Sequence, residues 1–114
     1  MAEEAKTQEA IEEEVNLLSF ALIADAGEAK SLAFMALADA KKGDFESSDA
    51  NMKQSDEAYL RAHNRQTELL VKEANGEHTP VNVMLVHAQD HLMTSNLARE
   101  LIREIIELYR LREA

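Results

Sequence analysis

Ile11, Val15, Leu18, Leu22, Ala26, Ala29, Ala33, Leu37 and Ala40 recur in steps of three and four, the spacing that lines up one face of an α-helix. No strand reading survives so long a seam. It ends at Lys41-Lys42-Gly43, where two cations suit the negative end of a helix dipole and glycine suits a left-handed cap. Asp44 is placed to cap a second helix. That helix repeats the spacing at Phe45, Ser48, Met52, Ser55, Tyr59, Ala62, Gln66 and Leu69 and stops at Asn75-Gly76; its seam is unusually polar. Thr79-Pro80 reads as an N-cap and first helical position, so a third helix is expected to start there and run towards the C-terminus. Connections at 43–44 and 76–79 are short enough to make sequential helices antiparallel. The expected fold is all-α, an up-down-up three-helix bundle, with residues 1–114 as one domain. Gly27, inside the first helix, marks either a kink or a close approach by another backbone.

Charge and composition narrow the function classes. Twelve Lys+Arg against 22 Asp+Glu give a net charge of −10, which repels phosphate backbones and anionic lipid head groups. Nucleic acid and membrane surfaces are therefore unexpected partners. There is no cysteine, hence no disulfide framework, thiolate metal site or thiol nucleophile. The acid-rich start lacks the basic and apolar parts of a secretory signal, and no apolar run approaches the roughly 20 residues that span a bilayer. A cytoplasmic location without membrane insertion is expected, with a frayed acidic N-terminus.

The third helix carries the candidate chemistry. On a helical wheel Gln89, Asn96, Arg99, Glu100, Arg103, Glu107 and Arg110 share an arc that reads as solvent-facing. Opposite runs a stripe of Val83, His87, Asp90, His91, Thr94, Ala98, Leu101, Ile102, Ile105 and Tyr109. Its C-terminal half is apolar and its N-terminal half polar, so the polar half is an island on a buried or interfacial face. Further apolar residues, Met84, Leu85, Val86, Leu92, Met93 and Leu97, spread wider than two neighbouring helices can cover. Self-association that buries this helix against copies of itself is expected.

The island reads Val86-His87-Ala88-Gln89-Asp90-His91-Leu92-Met93. Histidines four apart stand one turn above each other, with Asp90 on the same side. Two imidazoles so spaced are a helical metal chelate, and His-x-x-Asp-His resembles inverted zinc-peptidase motifs with aspartate in place of glutamate, yet no third ligand is placed to match. A Glu-x-x-His di-iron site fails, because Leu60, Asn75, Met84 and Ala88 occupy the positions three before the histidines. A nucleophilic use remains, in which a neutral imidazole takes a phosphoryl group while a second polar group holds its tautomer. Against all three stands a non-catalytic helical interaction module, whose buried His/Asp layer fixes helix register. His63 reads as structural, His78 as solvated, Gln66 as a core hydrogen-bonding residue, and Met84 and Met93 as core filler.

Val86-His87-Ala88-Gln89-Asp90-His91-Leu92-Met93-Thr94 resembles the signature of the enzyme IIA component of the lactose/cellobiose/diacetylchitobiose branch of the bacterial sugar phosphotransferase system. The resemblance extends to Gly27-Glu28-Ala29-Lys30-Ser31, Gly43-Asp44-Phe45, Ala62-His63 with Gln66-Thr67, and Ala98-Arg99-Glu100-Leu101-Ile102. It implies a three-helix monomer assembled as a homotrimer. It puts the phosphoryl group on His87, gives His91 a supporting role, and places Asp90 on the trimer axis, sharing a divalent cation, magnesium by its oxygen ligands, with two symmetry mates. The implied partners are the histidine phosphocarrier protein as donor, the cysteine of a IIB component as acceptor and, indirectly, the membrane IIC component. A β-linked disaccharide, cellobiose or diacetylchitobiose rather than lactose, is the implied cargo.

Overall fold

A computed structural model describes residues 7–113, as three helices: α1 (Gln8–Lys41), α2 (Phe45–Ala74) and α3 (Val83–Glu113). No strand occurs among the described residues. Met1–Lys6, the outer part of the acidic start, lie outside them. Thr7 accepts the Ala10 amide and caps α1, and Asp44 accepts the Ser47 amide and caps α2; the Ser47 amide, with the Ser47 hydroxyl, holds the Asp44 carboxyl below its ordinary value. Both α1 and α2 end in the same two bonds. Asp44 N–H reaches the Asp39 carbonyl and Gly43 N–H the Ala40 carbonyl, as Glu77 and Gly76 reach Lys72 and Glu73. The turn needs a left-handed residue, which Gly43 (φ 80°) and Gly76 (φ 88°) supply.

The start of α3 differs from expectation. Thr79 and Pro80 precede the helix, which begins at Val83. Asn82 is the cap: its Oδ1 accepts the Leu85 amide at 2.8 Å, while its Nδ2 donates to Asn16 Oδ1 of α1 at 3.0 Å. A side chain that both caps α3 and ties it to α1 outweighs the local preference of Thr-Pro.

The helices form a rod of 68 × 22 × 20 Å in which α1 is the middle member. It packs along both neighbours, whereas α2 and α3 barely meet. One core cluster joins Ala33, Ala36 and Ala40 to Met52, Ile102 and Ile106; the other joins Leu22 to Ala62, Ala88 and Leu92. Alanine at the contact lets helices approach closely, and the polar seam of α2 exploits it. Buried Ser48 donates to the Ala36 carbonyl at 2.8 Å, and buried Ser55 to the Ala29 carbonyl at 2.6 Å. Hydroxyls thus add directional bonds of about 1 kcal/mol each where branched chains would add bulk. Gly27 lies in unbroken helix, and a Cβ there would meet nothing within 4 Å. Within one chain it answers to neither a kink nor a close approach.

Candidate functional site

The expected solvent-facing arc of α3 divides: Glu100, Arg103 and Glu107 are exposed, while Arg99 is buried and Gln89, Asn96 and Arg110 are half-buried. Arg99 is only 6% exposed; its Nε donates to Ser55 Oγ at 3.0 Å, its other nitrogens reach Asn96 and Asp56, and its guanidinium stacks over Tyr59 at 4.5 Å. Arg103 also donates to Asp56, and Arg110 to Asp49. Long polar side chains span the gap that the two backbones leave, lining a groove of about 500 Å³ between Asp56, Tyr59, Leu60, Asn96, Arg99, Glu100 and Arg103. Nearer the α3 N-terminus the bridge is amide to amide. Gln66 and Gln89 each donate to the other at 2.7 Å. Reading charge as solvated missed this, although the unusually polar seam of α2 was its counterpart in the sequence.

The His/Asp island lies elsewhere on α3. His87, Asp90 and Thr94 are exposed and His91 is half-buried. The expected stripe divides accordingly: Ile102 is buried and Ala98 and Tyr109 half-buried, while Val83, Leu101 and Ile105 stay exposed with the island. A His/Asp layer buried between helices, on which the interaction-module reading depended, is therefore not present in the chain; the register-fixing polar contacts are those of Ser55, Arg99 and the two glutamines. The rings of His87 and His91 meet edge to face at 71°, centroids 4.4 Å apart, with Nε2 to Nε2 3.1 Å. At that distance one nitrogen carries a proton and the other accepts it. Asp90 is held by no side chain, and Thr94 Oγ1 donates to its carbonyl at 2.7 Å.

The other histidines stand apart from this pair. His63 is exposed and tilted against Tyr59, ring centroids 5.8 Å apart. His78 is exposed and pairs with Glu73, whose carboxyl it holds below the ordinary value. Among the described residues no group of three or more His, Asp or Glu side chains is arranged to hold a metal. A lone exposed Asp90 does not make a magnesium site within one chain, since such an ion takes several oxygen ligands.

Around the island the surface is apolar. Val83 is 83% exposed and Val86 57%, with Leu97, Leu101, Ile105 and Leu108 continuing along α3 and Leu17, Phe20, Phe34 and Met35 exposed on α1. Met93, expected as core filler, is 64% exposed. No helix of the described residues is long and apolar enough to cross a membrane.

A helical rod presenting paired imidazoles on its outer surface, among apolar residues, offers a nucleophilic nitrogen where another protein can reach it. The chain matches the family model for the lactose/cellobiose-specific IIA subunit of the phosphotransferase system over residues 17–110. It is 50% identical over 97 residues to the N,N'-diacetylchitobiose-specific EIIA component of Escherichia coli K12, covering 85% of this chain and 84% of that one. The cellobiose-specific enzyme IIA of Bacillus anthracis superposes with a TM-score of 0.84 at 40% identity, over 96% of this chain and 94% of that one. The chitobiose IIA in its complex with HPr, from E. coli, gives 0.76 at 47% identity, over 88% and 97%. The chain thus belongs to the lactose/cellobiose IIA family, and is a phosphotransferase component of the cellobiose/chitobiose/lactose type.

Proposed function

We propose that residues 1–114 form one phosphocarrier domain, acting in the cytoplasm, that takes a phosphoryl group on His87 from the histidine phosphocarrier protein and passes it to the cysteine of a IIB component. The membrane IIC component would then import the sugar as it is phosphorylated. The observation that carries this is the exposed His87 ring, whose Nε2 lies 3.1 Å from His91 Nε2. With His91 as donor, His87 Nε2 is held unprotonated and its lone pair is the nucleophile. As the new P–N bond forms, the donor's P–N bond breaks and its imidazole leaves with the electron pair. The His91 N–H is then released to a phosphoryl oxygen. Such a transfer depends mostly on in-line placement and charge stabilisation. The relative complexed with HPr supports the donor, and the diacetylchitobiose-specific relative supports a β-linked disaccharide of that type.

The working assembly is a homotrimer. Asp90, Thr94, Leu97 and Leu101 advance in steps of four and three along the outer face of α3, the spacing of a helix-to-helix seam. Around a three-fold axis Asp90 would meet two copies of itself, and like charges so placed need a proton or cation between them. Three carboxylates are the oxygen donors that a hard divalent ion such as magnesium takes. Incubation with the phosphocarrier, its kinase and labelled phosphoenolpyruvate tests the function. Acid-labile label on His87 is expected; label on another residue, or none, overturns the reading.

A further inference from the structure

Gln89 sits between His87 and His91 in the chain, yet two residues turn a helix by about 200° and aim it away from the imidazoles. Its amide closes a ring with Gln66 of α2, each side chain donating to the other at 2.7 Å in a half-buried setting. At this level the buried cluster is Leu22, Ala62, Ala88 and Leu92, with the partly buried Leu18, Ile23 and Tyr59 packed against it. The buried member from α2 and one of the two from α3 are alanines, whose short side chains resist rotation of a helix about its own axis only weakly. A ring of two hydrogen bonds does resist it, because turning α3 takes the Gln89 amide out of line and loses both bonds together. One turn before His87, Asn82 caps α3 while bonded to Asn16, so the start of the helix is fixed on the α1 side as its rotation is fixed on the α2 side.

We infer that Gln66 and Gln89 are positioning residues for the transfer proposed above, on which this inference rests. Neither touches the reacting atoms. The amide ring sets the rotation of α3, and with it the direction in which His87 presents its lone pair and His91 its N–H. Where in-line placement carries the rate, a displacement of about 1 Å costs up to about 100-fold, so a small rotation registers in the chemical step.

Methionine has nearly the length and volume of glutamine and no directional bond. Gln66→Met leaves the Gln89 amide unpaired and destabilises the chain; the double variant Gln66→Met/Gln89→Met removes both polar groups and regains that stability. Single-turnover phosphorylation is followed at rising donor concentration, with thermal unfolding alongside. The parent is expected to label on His87. The double variant should unfold at the parental temperature yet transfer about tenfold more slowly at saturating donor, its half-saturating concentration unchanged. Gln66→Glu, across which Gln89 still donates, should keep most of the rate. A double variant with the parental rate, or a loss found only in the half-saturating concentration, overturns the positioning role. Failure of the parent itself to label on His87 strikes instead at the function proposed above.

Discussion

His91 Nε2 lies 3.1 Å from His87 Nε2, one helical turn along, with the rings edge to face. Only one of the two nitrogens carries the shared proton, and in the proposed transfer the acceptor, His87, would attack while the donor orients it. His87→Ala is expected to abolish phosphoryl transfer with helix content intact. His91→Ala should leave measurable transfer at a rate lowered about 10- to 100-fold, the usual worth of an outer partner that orients a working imidazole. Full labelling of the His87→Ala chain would move the covalent site elsewhere.

Leu97 and Leu101 are 56% and 55% exposed on the same face of α3, so the apolar stripe wants a covering partner. Sedimentation at micromolar concentration should give a mass near three times 12.8 kDa. Leu101→Glu should yield monomers of parental helix content, because the side chain packs on nothing essential within its own chain. A monodisperse parent monomer would contradict the seam.

In the proposed trimer, a substitution at Asp90 would remove all three axial charges at once, since symmetry repeats it. Replacing a buried charged cluster by apolar side chains is often neutral or stabilising. Asp90→Leu should therefore keep the trimer and make it indifferent to chelators, while a chelator should weaken the parent assembly. Dissociation of the Asp90→Leu trimer at concentrations where the parent holds together would show that the carboxylates are an essential glue.

Arg99 and Arg110 each bond an aspartate of α2, but Arg99 is buried and Arg110 partly open, with side-chain exposures of 7% and 34%. Arg99→Ala takes one donor from Ser55 and one from Asp56, which keep the Ala29 carbonyl and Arg103 respectively, and empties the place above Tyr59, at an expected cost of about 2 kcal/mol. Asp49→Ala, breaking the exposed pair, should cost under about 1 kcal/mol. Urea unfolding at one fixed protein concentration separates them; equal losses would mean that burial is not what makes the Arg99 contact matter.

Helix number, both glycine turns and one of the three N-caps, Asp44, were legible because each is decided within a few residues. The steps of three and four, Asp44 before Phe45, and Gly43 and Gly76 after their helices all act through bonds between neighbours in the chain. The Asn82 cap was not legible, since Thr79-Pro80 offers an equally good local start and the deciding contact is to Asn16, on another helix. The candidate residues His87, Asp90 and His91 were found by spacing and by likeness to the family, but spacing could not say whether they were buried or open.

Which polar face meets which was decided only in three dimensions. Arg99 looked like a solvent-facing cation because its partners Ser55 and Asp56 lie more than 40 residues away in the chain, and hydropathy sees no such distance. An apolar side chain gains by leaving water whatever it meets, although exposed Met93 and Leu97 show that packing still decides which of them one chain covers. A guanidinium or an amide is buried only where a matching donor or acceptor awaits it, and whether one does depends on how α2 lies against α3.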